Sequence, residues 1–296
     1  MQSDDTNKIE TKNISYNKRD LILYALGIGR TDKRYIYELD PSFCAFPTYP
    51  LVLNLKGDYQ DVNLYADQVN INKIPGMKQI DLRKVVHGEQ YYEVIQAIPT
   101  SGNFILEENV SDIWDTGRGM IIDKDAVMKD SNTGITYAKL TTSAFVIGAG
   151  GFNGKKKPQR PIPKLLNKEP DVVHEEIIPQ NANLLYRLSG DYNPLHVDDS
   201  IGKNLGMKGA ILHGLCTYGY SAAAVLIHFA NNDSSKFKSI YGKFASPVYP
   251  GETLQTLMWK AQTEEGHAIA FETRVKERNI AVITNGLVIL HTTSKL

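Results

Sequence analysis

The 296-residue chain carries 33 Lys and Arg against 33 Asp and Glu, so no overall field draws it to nucleic acid or to an anionic membrane surface. Its apolar fraction of 42% is ordinary for a globular protein, and the longest apolar runs, such as residues 21–25, are far too short to cross a bilayer. Two cysteines, Cys44 and Cys216, in no metal-ligand or redox spacing, cannot build a disulfide scaffold and read as small core residues.

The first ten residues are polar and acidic, without the apolar core of a secretory signal or the arginines of a presequence. A short helix is expected over residues 20–26, with Asn17 as its N-cap and Gly27 as its stop. A second short apolar segment follows at 49–55. Strand patterns then run over 104–113 and 119–127, a turn at 130–134, and a further strand over 135–147. Residues 150–171 are dominated by Gly, Pro and Lys and read as a linker. The basic run Lys155-Lys156-Lys157 in it reads as a solvated loop, with the phosphates of a ligand as the alternative.

Beyond the linker, residues 214–230 are apolar nearly all round, and a helix without a polar face must be buried. Its small residues, Gly219, Ser221 and Ala222 to Ala224, would allow close approach to a sheet. Strands follow over 254–260, 268–275 and 280–290, separated by turns at 264–266 and 276–279. Gly102 and Gly251 are 149 positions apart, as are Gly117 and Gly266, so one strand–turn–strand unit occurs twice at a constant offset. The expected architecture is α+β, a tandem double hot-dog fold with antiparallel sheets wrapped around a long buried helix. Residues 1–150 form the first domain with a degenerate helix, 151–171 the linker, and 172–296 the second domain.

Chemistry concentrates in Tyr186-Arg187-Leu188-Ser189-Gly190-Asp191-Tyr192-Asn193-Pro194-Leu195-His196. Asp, Asn and Pro form turns, and a tight turn here brings a carboxylate, an amide and an imidazole together, able to hold one water between a base and a proton donor. Gly214, 18 residues after His196, opens the buried helix. Its N–H has no intrahelical partner and no Cβ obstructs it, which makes it a candidate oxyanion donor. The Gly27-Ile28-Gly29 and Gly148-Ala149-Gly150 pairs lack the strand–turn–helix context and third glycine of a dinucleotide loop. His174, His228, His267 and His291 have no metal-ligand spacing and read as structural or exposed, and no metal site is expected.

The YRLSGDYNPLH run with the Gly of Leu212-His213-Gly214 resembles the signature of the hydratase-2 (MaoC-like) family, including the hydratase part of peroxisomal multifunctional β-oxidation enzymes. Residues 19–27, Phe46-Pro47-Thr48, Val86-His87-Gly88-Glu89-Gln90 and the run from Phe244 to Gly251 also resemble that family, so the likeness covers nearly the whole chain. It implies hydration of trans-2-enoyl-CoA to (3R)-3-hydroxyacyl-CoA in peroxisomal fatty acid β-oxidation, in a homodimer, with no cofactor beyond the coenzyme A of the substrate. It implies Asp191 and His196 as the acid/base pair, Asn193 orienting water, and the Gly214 N–H on the thioester oxygen. His87, Gly88, Thr116, Tyr192, Pro194, Leu195 and Phe244 would line the ligand. Thr116 stands where relatives use a Lys, and Glu38 matches a carboxylate that some relatives need, with a structural ion pair as the alternative. The final Ser294-Lys295-Leu296 reads as a peroxisomal address for an import receptor. The competing readings are a hot-dog thioesterase, a dehydratase of acyl-carrier-protein substrates, and a silent acyl-CoA-binding protein.

Overall fold

A computed structural model describes residues 9–62, 64–65, 80, 84–160, 162, 169–263 and 266–291. The Ser294-Lys295-Leu296 tail, the turn residues Glu264 and Glu265, and residues 163–168 of the linker lie outside these. Ten antiparallel strands form one sheet: β1 (Glu10–Tyr16), β2 (Val85–Val94), β3 (Gly102–Asp115), β4 (Gly119–Asp130), β5 (Thr136–Ile147), β6 (Val172–Ile177), β7 (Phe237–Phe244), β8 (Thr253–Thr263), β9 (Gly266–Val275) and β10 (Ile280–Leu290). The order is β1-β3-β4-β5-β2-β7-β10-β9-β8-β6. Read inward from either edge, the two halves have the same succession, and they join where β2 pairs with β7. The repeat seen in the sequence is thus the β3–β5 meander and its counterpart β8–β10. The strands β1, β2, β6 and β7, which the periodicity did not mark out, complete each half.

Helix α1 (Lys18–Gly27) starts at a full capping box: the Asn17 side chain accepts from the backbone at Arg19, and Asp20 accepts from the Asn17 N–H at 2.9 Å. The apolar segment at 49–55 is a 3-10 turn, Tyr49–Val52, running into a single helical turn, Leu53–Lys56. Two short helices, α2 (Ala182–Tyr186) and α3 (Asp199–Asn204), flank the DYNPLH stretch. The long helix α4 (Gly214–Phe229) is buried over almost its whole length and packs on β7, β8 and β10. Ser221 ties it to the sheet through the Thr273 hydroxyl at 2.7 Å. Gly219 serves a different neighbour from the one expected. A Cβ there would stand 2.6 Å from the Ile28 side chain, so the missing side chain admits the residue that ends α1 and lets the first half dock on the helix of the second. The core is continuous across both halves, from Ile14 and Leu21 to Val288 and Leu290.

The linker is fastened rather than free. Asp115, at the end of β3, accepts from the N–H groups of Gly117, Gly151 and Gly154, which pulls its carboxyl down to about 2. Lys155 and Lys156 are exposed, whereas Lys157 turns into the sheet.

Candidate active site

The DYNPLH stretch folds as a 3-10 turn, Pro194–His196, because Asn193 caps it: its side-chain oxygen accepts from Leu195 N at 3.0 Å, and Pro194 supplies the fixed φ of the first position. The preceding Gly190 has φ +129°, and a Cβ there would lie 2.7 Å from Lys56 Cβ. Only glycine lets the chain pass the Leu53–Lys56 turn and bend into Asp191. Asp191 Oδ1 accepts from Asn193 N at 3.1 Å, which leaves Oδ2 turned toward His196, whose Nε2 is 4.0 Å away.

His196 is buried, and three bonds set its position. Its backbone oxygen accepts from the Asn183 amide at 2.7 Å, its N–H donates to Asn193 O at 3.1 Å, and its Nδ1 faces Ile211 O at 2.9 Å. A carbonyl can only accept, so Nδ1 carries the proton and Nε2 presents a lone pair toward Asp191. Burial lowers the His196 pKa, and the nearby Asp191 carboxylate opposes that shift.

His213, the N-cap of α4, is the residue that sequence reasoning passed over. Its ring stacks on His196 with centroids 3.6 Å apart, and its Nε2 donates to Asp191 O at 3.1 Å. Its Nδ1 is buried without a hydrogen-bond partner among the described residues. Burial first, then His196, holds His213 well below the ordinary imidazole value, so it stays neutral. The signal was present in Leu212-His213-Gly214, but a His before a helix reads as a cap until the fold sets it on the Asp191–His196 turn. Tyr65 was missed too. It lies beside Asp191, and its hydroxyl bonds the Asn193 side chain. Burial raises it to about 12, so it remains a protonated phenol.

Gly214 is the first residue of α4, adjoining His213, and a Cβ on it would come 3.2 Å from the Phe244 ring. The Phe244 ring is in turn 4.6 Å from His87. His87 reaches this place because β2 has a bulge. His87 and Glu89 oppose consecutive β5 residues, Ala144 and Ser143, so Gly88 is extra. The bulge reverses the usual alternation and turns His87 and Gln90 to one face, where Nε2 and Oε1 are 3.0 Å apart. Burial pushes the His87 imidazole down to about 4, despite the Gln90 bond.

Contacts therefore run in a chain from Asp191 and His196 through His213 to Gly214, and from Gly214 through Phe244 to His87 beside the Gly88 bulge, with Asn193, Pro194 and Leu195 in the turn and Tyr192 beneath the Arg187 guanidinium at 5.2 Å. The Thr116 hydroxyl donates to Gly119 O at 2.8 Å and accepts from Gly119 N at 2.9 Å, closing the β3–β4 turn. Glu38 is exposed beyond the short helical turn Lys33–Ile36. A cavity of about 850 Å³ lined by Glu89, Tyr91, Lys157, Arg160 and Tyr241 lies on the side of β2 away from His87 and is not this site. Asp191, His196 and His213 offer ligand atoms within 4.8 Å of one another, among the described residues the one group able to hold a metal. Two rings stacked 23° from parallel do not aim their in-plane lone pairs at one point, which suits an acid–base role better.

Residues 14–148 match the family model of the hydratase 2 N-terminal domain of multifunctional enzyme type 2, and 160–281 match the MaoC-like domain. A Dictyostelium discoideum protein described as a probable enoyl-CoA hydratase 2 is 33% identical over 96% of this chain and 95% of its own length. The chain belongs to the enoyl-CoA hydratase 2 family. Among other members, mouse peroxisomal multifunctional enzyme type 2 is 38% identical over 95% of this chain. The chain spans only 37% of that protein's length. A MaoC-like dehydratase from Phytophthora capsici superposes with a TM-score of 0.92 at 34% identity, covering 100% of both chains. The architecture of this enoyl-CoA hydratase 2 family member is the double hot dog.

Proposed function

We infer that the chain is a hydro-lyase that adds water reversibly across the 2,3 double bond of a trans-2-enoyl-CoA, giving the (3R)-3-hydroxyacyl-CoA, and that it works in peroxisomal fatty acid β-oxidation. Family membership supports the activity, and relatives named as peroxisomal support the compartment. A homodimer is the assembly proposed.

The observation that carries the mechanism is the 4.0 Å gap between His196 Nε2 and Asp191 Oδ2. It is too wide for a direct hydrogen bond and suits one water bonded to both at about 2.8 Å. Free water is a poor nucleophile, with a pKa near 15.7. The pair takes a proton from it as its oxygen attacks C3, and returns a proton to C2. Negative charge builds meanwhile on the thioester oxygen, opposite the Gly214 N–H and the positive end of α4. One preorganised donor of this kind is worth about 2.7–4 kcal/mol of barrier. Water and substrate alone balance the reaction. The Asn193 carbonyl is committed to Leu195 N, so this residue acts on water through its NH₂ group or by holding Asp191.

The deciding experiment follows the loss of enoyl absorbance with crotonyl- and decenoyl-CoA, with chiral analysis of the product. Release of free CoA instead of a 3-hydroxyacyl-CoA would make the protein a thioesterase. Binding without turnover would make it an acyl-CoA carrier.

A further inference from the structure

Lys157 is the one residue of the basic linker run that leaves solvent, and its partners lie directly behind the ligand-facing side of β2. Its Nζ is 2.8 Å from Asp123 Oδ1, 2.7 Å from Ser143 Oγ and 3.2 Å from Glu89 Oε2. Glu89 and Ser143 are the cross-strand pair at the Gly88 bulge, so one ammonium grips both sides of the irregularity that turns His87 inward. Glu89 also meets the Lys243 ammonium at 2.9 Å and the Tyr241 hydroxyl at 2.8 Å. Lys243 opposes Glu89 across the β2–β7 junction and precedes Phe244, the ring against which His87 packs. On the same face Arg160 lies over Tyr91 at 4.0 Å, continuing the fastening of the linker.

We propose that Lys157 and Glu89 are positioning residues for the ligand site: from the outer face of the sheet they clamp the bulge at Gly88, and so fix where His87 and Phe244 stand on the inner face. The clamp is partly buried, with the side chains of Lys157, Glu89 and Asp123 at 19%, 11% and 9% exposure. Solvent therefore screens it less than a surface ion pair. A β-bulge without such a hold is free to slide by one residue, which would send His87 to the outer face and exchange it for Gly88. The acid–base pair lies on a different element, the turn after Gly190, and does not depend on the clamp. Loss of the clamp therefore acts on substrate binding, not on turnover.

The test compares Lys157→Met, Lys157→Arg and, as a control from the same run, Lys155→Met in the full-length protein. Lys157→Met is expected to raise KM for the enoyl-CoA about tenfold with little change in kcat, and Lys157→Arg to restore it. Lys155→Met is expected to leave both constants alone. A purely structural role would instead lower kcat in step with the folded fraction. The KM readout rests on the hydratase reading. A second readout does not: the His87 imidazole signals in ¹⁵N-histidine spectra, assigned with His87→Gln, are expected to move in Lys157→Met while those of His174 and His228 stay. Should Lys157→Met not fold, Ser143→Ala removes one partner at the bulge and is expected to give the same changes, smaller. Unmoved His87 signals in the folded variant overturn the proposal whatever the enzyme's substrate. Moved signals with an unchanged KM overturn the binding role alone.

Discussion

Lowering the pH from about 7.5 to about 5 should weaken the fold through the site itself, and His87 gives the size of the effect. An unfolded imidazole titrates at 6.5, whereas burial pushes that of folded His87 down to about 4. Above 6.5 neither state holds the proton and the residue contributes no pH dependence. Between 6.5 and 4 the unfolded chain gains a proton that the folded chain refuses, so each unit of acidification costs about 1.4 kcal/mol. Over the unit and a half down to pH 5 the loss is about 2 kcal/mol, a large share of a domain's usual 5–15 kcal/mol. His213 and His196, also lowered by burial, add losses of the same sign in the same window. The assay is denaturant unfolding, followed by circular dichroism at several pH values, on wild type and His87→Gln. Wild type should lose about 2 kcal/mol more than the variant across the interval. Parallel pH profiles would show that His87 is not held neutral and would refute the burial argument.

Asp191→Asn and His196→Gln should each lower kcat by about two to four orders of magnitude with the fold retained, measured by enoyl-CoA hydration alongside far-UV circular dichroism. Near-normal turnover by either would remove the acid–base assignment. Gly214→Ala places a methyl 3.2 Å from the Phe244 ring. The ring must yield by a few tenths of an ångström, and kcat/KM should fall about tenfold while thermal stability changes little. Asn183→Leu removes the donor to His196 O, a 2.7 Å bond in a buried setting. It should cost about 1–3 kcal/mol in denaturant unfolding and reduce kcat, because an unpaired buried carbonyl lets the catalytic turn shift.

The long strands and the buried helix were legible because their patterns are local: alternation in residues 268–275, and near-unbroken apolarity in 214–230. Strands β1 and β2 were not. β2 contains Glu89 and Gln90, polar residues whose burial depends on partners far along the chain, and its bulge breaks the alternation that would have marked it. In the site, Asp191, Asn193 and His196 were legible because one turn gathers them. His213 and Tyr65 were not, since they reach Asp191 only through tertiary contacts. Lys157 misled for the converse reason. A triple-lysine run has the composition of a solvated loop, and nothing in it marks which ammonium finds two buried carboxylates.

The sheet order that reads alike from both edges carries a last implication. Two identical halves would create two equivalent seams and two equivalent reaction centres. Here a single covalent chain supplies both halves, so each can change without spoiling the other. The half containing α4 brings the Asp191–His196 turn and the helix end. The opposite half, whose helical segments are short among the described residues, brings His87. Duplication followed by divergence thus gives one lopsided cluster of these side chains per molecule, where two identical halves would give a symmetric pair.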